Sequence, residues 1–397
     1  MKTTAIICEM NPLHLGHAYI LREIRKTADC VIAVMSGNFV QRAECAVLDK
    51  YARAEALIRA GADLVVELPF TFCSAGAEAF AAAGTRIAHA LGADTLAFGV
   101  SEDRENLYER IADVLASSGF YQDFLTETKA RPEYGIAQIR EKCLQKYFTE
   151  DISDVLHSPN DILAIEYVKS IRTAGYPLQI QPIRRLSDRD DPHFAGATAI
   201  REKLSLGEDV SSHMPDESFA IFERENGEGR LADPIRLWNI MFMHLRRRGD
   251  ADPFAEGNGG VLERLIGCAD QASGGEEMFS LAATKKYTNA RLRRAALFDL
   301  LCVTETDVKK TPAYTVLLAA NKVGCAHLSA NKKTTPIPIL TKPSDERNLG
   351  EEARRMYAKA KEADRLYTMC QKKVLPADTY LRRTPYIIYP IRNTERT

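Results

Sequence analysis

The sequence lacks several features that would place it in a common class of protein. No apolar run approaches the length of about 20 residues that a membrane-spanning helix needs. Its 9 cysteines never occur with Cys-x-x-Cys spacing, which argues against a disulfide framework or a structural zinc site. The pattern Gly-x-x-x-x-Gly-Lys-Ser/Thr is missing, so the chain is not a P-loop protein. With no recognisable secretory segment either, we expect a cytoplasmic protein.

An excess of charge of one sign is also missing. Lysine and arginine number 53 against 54 acidic residues, for a net charge of -1. This balance excludes a chain that is basic overall, but it allows a local basic face for nucleic acid. A length of 397 residues exceeds one comfortable hydrophobic core, so we expect two domains.

The first half of the chain alternates short apolar runs with helical patterns. The apolar runs cover residues 4–8, 30–35, 63–69 and 95–99, and residues 179–185 resemble a last core strand that ends in two cations. This alternation predicts βαβ units and a mostly parallel, Rossmann-like sheet, hence an α/β fold. Near residue 205 the alternation gives way to helical patterns, so we predict domains at 1–205 and 206–397, the second mainly helical. Residues 316–320 and 337–340 predict a small sheet near the end of the chain.

One stretch at the end of the first apolar run carries most of the chemical information. It reads His14-Leu15-Gly16-His17 and lies between a predicted strand and a predicted helix. Free amides at a helix N-terminus favour anionic groups, and two histidines three residues apart can face one ligand. The pattern arises by chance in about 1% of chains of this composition. The alternatives are coincidence and a metal-binding histidine pair.

The same stretch resembles the HxGH signature of the nucleotidyltransferase superfamily. More narrowly, residues 9–17 resemble the opening motif of the bacterial tRNA(Met) cytidine acetate ligases. Further matches to that family follow in order at residues 35–42, 63–69, 98–102, 158–163, 285–294 and 335–342. Gly196 and Ala197 depart from the two serines with which such cores often open a phosphate-binding helix. Leu13 and Leu15 depart from the usual Phe and Asn.

The resemblance implies a set of site residues. His14 and His17 are the expected catalytic residues. Gly99 and Asn160 are expected near the nucleotide, although a turn glycine and a plain helix cap are the alternatives. The full set expected to bind ATP is Ile7, Cys8, Glu9, Met10, Asn11, Pro12, His14, Gly16, His17, Ile20, Gly99, Asn160, Arg184 and Arg185.

A second set of residues is expected to contact RNA. A single basic helix is predicted over residues 281–301, with cations interleaved with Tyr287, and such a helix suits a phosphate backbone with a base nearby. Since charge runs are often only solvated faces, the assignment rests on the family match as well. The residues expected to bind tRNA are Lys285, Lys286, Arg291, Arg293 and Arg294.

The resemblance implies an ATP-dependent ligase that uses Mg²⁺. It would activate acetate as acetyl-adenylate and transfer the acetyl group to the wobble cytidine of elongator tRNA(Met), giving N4-acetylcytidine, with no protein partner evident. Two alternatives remain open. One is a small-molecule nucleotidyltransferase that adenylates a phosphorylated cofactor precursor. The other is a non-catalytic RNA-binding protein, against which the intact His14, Gly16 and His17 argue.

Overall fold

A computed structural model describes residues 1–188, 190–249 and 252–388. The strands are β1 (Thr3–Cys8), β2 (Cys30–Ser36), β3 (Leu64–Leu68), β4 (Thr95–Val100), β5 (Gln179–Arg184), β6 (Thr315–Ala320), β7 (Ile339–Leu340) and β8 (Tyr386–Ile387). The first ten helices are α1 (Leu15–Arg25), α2 (Lys50–Arg59), α3 (Phe70–Cys73), α4 (Ala77–Ala90), α5 (Glu105–Ala116), α6 (Ser118–Ala130), α7 (Ile136–Gln145), α8 (Ser153–His157), α9 (Pro159–Ala174) and α10 (Ala197–Ser205). The remaining helices are α11 (Asp216–Gly227), α12 (Pro234–Arg246), α13 (Val261–Gln271), α14 (Gly275–Ala282), α15 (Asn289–Leu300), α16 (Glu305–Lys309), α17 (Lys322–Asn331) and α18 (Glu351–Cys370).

The strands form one sheet in the order β5-β4-β1-β2-β3-β6-β7, with β8 also paired to β6. The first five strands in this order are parallel, and β6 is antiparallel to β3. The predicted α/β fold with a mostly parallel sheet is therefore confirmed. In the sheet, β2 lies beside β1 on one side and β4 lies beside β1 on the other. The strand order therefore reverses between β1 and β4. Ligands of open α/β sheets bind at this point, outside the carboxyl ends of the strands.

The central strands are buried on both faces, which explains their continuous apolar runs. Every residue of β1, β2 and β3 is buried, as expected for parallel strands covered by helices. α4 lies directly against β1 at Gly84, where a Cβ atom would approach Ile7 Cδ1 to 2.6 Å. The result is a rigid base that fixes the positions of the loops at the carboxyl edge.

The last two apolar runs pair with each other as predicted, but they do so as part of the central sheet and not as a small sheet of their own. β6 pairs with β3 and β7 pairs with β6, so both extend the central sheet. The other edge of β3 would otherwise leave a row of unpaired backbone groups, and β6 covers it. Strand pairing between distant segments leaves no signal in local periodicity. The division into domains at residue 205 stays a prediction.

A buried charged cluster fastens the last long helix to the sheet. The ammonium group of Lys50 donates to Glu67 at 2.9 Å and to Asp364 of α18 at 2.8 Å. Asn38, which follows β2, donates to the other oxygen of Asp364 at 2.8 Å. These contacts tie the C-terminal half of the chain to the carboxyl edge of β2 and β3. Among the residues described, no helix has both the length and the apolar character needed to cross a membrane.

Candidate functional site

The turn between β1 and α1 lies at the switch point of the sheet. Met10 adopts a left-handed backbone with φ 50°, and the Asn11–Pro12 peptide is cis. The side-chain oxygen of Asn11 accepts from the Val47 amide at 2.8 Å, and its carbonyl accepts from Arg201 Nη1 at 2.9 Å. The turn is thus held by the loop after β2 on one side and by α10 on the other.

The two histidines of the motif stack on one another at the start of α1. Their ring centroids are 3.8 Å apart with an angle of 33° between the planes. His14 Nδ1 accepts from the Gly16 amide at 3.1 Å, and His17 Nδ1 accepts from the His14 amide at 3.4 Å. Since both Nδ1 atoms are acceptors, each neutral ring carries its proton on Nε2. Two N–H donors are thereby fixed at the N-terminus of a helix.

The Nε2 atom of His14 is buried and has no hydrogen-bond partner within the described part of the chain. A buried donor without a partner costs free energy of about 1–3 kcal/mol, so it indicates a place that a ligand acceptor would fill. Gly16 makes this arrangement possible, because a Cβ atom there would lie 2.9 Å from His14 Cε1.

Burial keeps both imidazoles neutral at neutral pH. Burial and the positive charges of Arg185 and Arg201 lower the pKa of His14 from 6.5 to about 3. Burial and the neighbouring His14 also lower the pKa of His17 well below its usual value. The pair therefore serves as hydrogen-bond donors and is not a pair of fixed positive charges before a ligand arrives.

The low pKa of His14 predicts a loss of stability in mild acid. The unfolded chain binds the proton between pH 6.5 and about 3 while the folded chain does not, so the free energy of unfolding decreases as the pH falls through this range. From pH 7 to pH 5 we expect His14 to account for about 2 kcal/mol of that decrease. Urea unfolding of the wild type and of His14→Asn at both pH values measures this share. Equal decreases in the two proteins would contradict the prediction.

Arg185 and Asn160 meet on the β5 side of the switch point. Arg185 Nη1 donates to Asn160 Oδ1 at 2.8 Å. The stem of Arg185 passes over Gly99, where a Cβ atom would lie 2.9 Å from Arg185 Cγ. Asn160 is not the helix cap, because Ser158 occupies the cap position of α9 and accepts from the Asp161 amide. The plain-cap alternative for Asn160 is therefore wrong.

The predicted pair of arginines does not act on one partner. Arg184 is exposed and donates to Asp190 Oδ1 at 2.6 Å, whereas Arg185 is turned toward Asn160. Side chains of successive residues at a strand end point to opposite sides. Arg185 is thus the cation whose charge reaches both His14 and His17. The roles expected for both arginines stay predictions.

The remaining residues of the predicted set contribute backbone and packing. Ile7, Cys8, Met10 and Pro12 are buried, and burial raises the pKa of the Cys8 thiol to about 12, so it stays protonated. Ile20 Cδ1 would lie 3.0 Å from a Cβ atom at Gly99, which places α1 against the end of β4.

Two further arginines support this site; Arg201 ends the segment that begins with Gly196 and Ala197, whereas Arg53 is not marked by any sequence pattern. Arg53 is fully buried and donates to the carbonyls of Leu48 and Glu9, at 3.0 and 2.5 Å, and of Gly37. It joins the ends of β1 and β2. Arg201 holds the Asn11 carbonyl and lies 3.9 Å from Glu44. Arginine is usually exposed, so nothing in the sequence near residue 53 distinguishes it from a surface cation.

The predicted basic helix is interrupted. α14 ends at Ala282 and α15 begins at Asn289, with a turn between them in which the Thr284 amide donates to the Tyr287 carbonyl at 3.0 Å. Lys285 and Lys286 lie in this turn and not on a helix. The prediction of one helix over 281–301 is wrong because Thr288 is a good N-cap, and its side chain accepts from the Arg291 amide.

The three arginines of α15 are engaged within the protein. Arg291 donates to the Asn258 carbonyl at 3.1 Å, and Arg294 to Glu256 at 3.0 Å. Arg293 pairs with Glu44 and stacks on Trp238, with its guanidinium 4.5 Å from the ring. Only Lys285 of the five predicted RNA-binding residues is exposed as a whole. Binding of tRNA by these residues stays a prediction.

Comparison with known proteins agrees with this geometry. A family model described as HIGH Nucleotidyl Transferase matches residues 1–380. A tRNA(Met) cytidine acetate ligase of Caldanaerobacter subterraneus is 32% identical over 388 residues, covering 94% of this chain and 96% of that protein. The Thermotoga maritima protein of the same name is 34% identical over 361 residues, covering 85% and 86%. The crystal structure of Thermotoga maritima TmcAL bound with alpha-thio ATP has a TM-score of 0.92 at 28% identity, covering 98% of this chain and 100% of that one.

Proposed function

This chain belongs to the HIGH nucleotidyl transferase family and to the tRNA(Met) cytidine acetate ligases within it. From that membership we propose that it acetylates elongator tRNA(Met) in a reaction that consumes ATP. Acetate is activated as acetyl-adenylate, and the acetyl group passes to the exocyclic amine of the wobble cytidine. The product is N4-acetylcytidine.

The first step is an in-line displacement at phosphorus. An acetate oxygen forms a bond to the α-phosphorus of ATP while the bond to the bridging oxygen breaks, and pyrophosphate leaves with the electron pair. Such a reaction needs positioning and charge stabilisation more than covalent help from the protein. The protein must therefore offer donors where negative charge grows on the phosphates.

The observation that carries the proposal is the pair of stacked imidazoles, in which backbone amides donate to both Nδ1 atoms and the buried His14 Nε2 has no partner among the described residues. Neutral N–H donors bind phosphate oxygens without a strong charge that would hold pyrophosphate after the reaction. Arg185 supplies the nearby positive charge, and Gly99 and Asn160 lie where the nucleoside would extend toward β5.

The second step transfers the acetyl group. The cytidine amine attacks the acetyl carbonyl carbon, the bond to AMP breaks, and the amine loses one proton.

Mg²⁺ is proposed to arrive with ATP. No group of three or more His, Cys, Asp or Glu side chains is placed to hold a metal ion in the described ranges. The carboxylate closest in sequence to the motif, Glu9, accepts from the Gln41 amide at 2.8 Å. The ion would therefore be held by phosphate oxygens and water, as Mg²⁺ commonly is, and would neutralise phosphate charge.

The test is incorporation of labelled acetate. Purified protein is incubated with ATP, Mg²⁺, labelled acetate and an elongator tRNA(Met) transcript, and the RNA is digested for nucleoside analysis. We expect label in N4-acetylcytidine, dependent on ATP. A transcript with uridine at the wobble position is the matched control and should take up no label.

An opposite result would favour another function. Absence of label in RNA, together with adenylation of a small phosphate ester, would support a small-molecule nucleotidyltransferase. Such an enzyme would not need the helices that follow α10.

A further inference from the structure

Two loops that are far apart in the sequence meet at the surface beside α15. Lys286 Nζ donates to the carbonyl of Pro132, 154 residues away, at 2.9 Å. The turn between α6 and α7 lies against the same backbone, since a Cβ atom at Gly135 would be 3.6 Å from the Lys286 carbonyl oxygen. The insertion formed by α5 to α7 and the C-terminal half of the chain thus share one continuous surface here.

This surface, which we call the loop patch, alternates cations with tyrosines. It consists of Arg131, Tyr134, Lys285, Lys286, Tyr287 and Arg291. The Tyr134 side chain is 41% exposed, with the Arg131 guanidinium 5.4 Å from its ring centre. Lys286 and Arg291 lie 5.5 and 5.7 Å from the ring centre of Tyr287.

Neighbouring carboxylates balance only the arginines of the loop patch. Glu127 lies 3.3 Å from Arg131 and also pairs with Lys142 and Lys146. Glu256 pairs with Arg294 at 3.0 Å and lies 3.9 Å from Arg291. Glu133 adds an exposed carboxylate at the rim.

Lys285 and Lys286 keep their charge available. Lys285 is exposed, and Lys286 donates only to a backbone carbonyl. Neither has a carboxylate partner in the portion of the chain that the structure describes.

A chain of contacts links α15, which carries Arg291 of the loop patch, to the turn before the histidine pair. Arg293, two residues after Arg291 on α15, pairs with Glu44. Glu44 is 3.9 Å from Arg201, which in turn donates to the Asn11 carbonyl of the motif turn.

We propose that the loop patch is a tRNA contact in which Lys285 and Lys286 bind backbone phosphates and Tyr134 stacks on an unpaired base. This inference rests on the proposed function, because it takes tRNA as the substrate. Uncompensated ammonium groups suit phosphate, and exposed aromatic rings beside them suit single-stranded RNA bases. An acidic protein partner would form ion pairs with the two lysines but would gain little from an exposed tyrosine ring, so the combination favours RNA.

Binding of a fluorescent elongator tRNA(Met) transcript at several salt concentrations tests the inference. For the double variant Lys285→Ala, Lys286→Ala we expect affinity reduced by about ten-fold or more and a salt slope smaller by about 2. Tyr134→Ala should reduce affinity about ten-fold, and Tyr134→Phe should restore it, since stacking needs only the ring. Acetate-dependent exchange of pyrophosphate into ATP should be unchanged in all three, because none touches the nucleotide.

The matched control is Lys332→Ala, Lys333→Ala. These exposed lysines follow α17. His327 Nε2 of that helix donates to the Leu91 carbonyl at 2.7 Å, near the amino end of β4 and so away from the carboxyl edge that carries the site. The control should bind tRNA as the wild type does.

Unchanged tRNA affinity in the loop-patch variants, or an equal loss in the control, would overturn the inference while leaving the proposed function intact. A different outcome is that the wild type acetylates no RNA but binds tRNA, and that the loop-patch variants bind it more weakly. That outcome would contradict the proposed function while supporting the tRNA contact. Absence of tRNA binding by the wild type would contradict both.

Discussion

His17→Ala is expected to abolish most acetyl-adenylate formation while leaving tRNA binding nearly intact. The substitution removes one of two N–H donors fixed at the start of α1. Loss of one preorganised donor to a developing negative charge costs about 10²–10³-fold in rate. His17 also stacks on His14 at 3.8 Å, so its removal frees the second ring to move and adds to the loss. Acetate-dependent exchange of labelled pyrophosphate into ATP measures this step without tRNA.

A matched control keeps this result specific. His157 is an exposed histidine on α8, 3.3 Å from Glu141, and His157→Ala should exchange pyrophosphate like the wild type. Thermal unfolding of His17→Ala should remain cooperative, since the residue is only half-buried. Exchange at the wild-type rate in a folded His17→Ala protein would remove the imidazole pair from the mechanism.

Arg53→Ala is expected to cause the largest loss of stability among single substitutions near the site. The guanidinium is fully buried and donates to three carbonyls, two of which end β1 and β2. Removing it leaves these acceptors buried and unpaired, at about 1–3 kcal/mol each. Because relaxation and water entry recover part of that, we expect the free energy of unfolding to decrease by about 3–5 kcal/mol. Urea unfolding at neutral pH measures the change.

Arg59→Ala provides the comparison on the same helix. Its side chain is 41% exposed and pairs with Glu55 at 2.9 Å, so its loss should cost less than about 1 kcal/mol. Arg53→Lys keeps the charge but loses the planar guanidinium with its several donors. Its free energy of unfolding should lie between those of Arg53→Ala and Arg59→Ala. It replaces Arg53→Ala as the test variant if that protein does not fold. Equal stability of the Arg53 and Arg59 variants would show that the three carbonyls find other partners.

Local signals predicted the part of the site that is built from adjacent residues. A strand, a turn and a helix start follow one another within residues 3–25, and the histidine spacing brings both rings to one turn of helix. Two features were missed. The basic segment of 281–301 is broken by the cap at Thr288, which is a local signal. The pairing of β6 with β3, which brings β6 and β7 into the central sheet, joins distant segments and leaves no local signal.

By itself, the sequence determined the parallel sheet, the motif at the carboxyl end of β1 and the family. The sheet follows from hydrophobic periodicity, the motif from residues close together in the chain, and the family from the resemblance of these segments to known sequences. Only the tertiary structure decided which arginines serve the site. Arg53 and Arg201 hold backbone carbonyls of the first two strand ends, while Arg293 and Arg294 are taken up by Glu44 and Glu256. The physical reason is that a cation's role depends on the burial and partners that folding gives it, and neither is encoded near it in the chain.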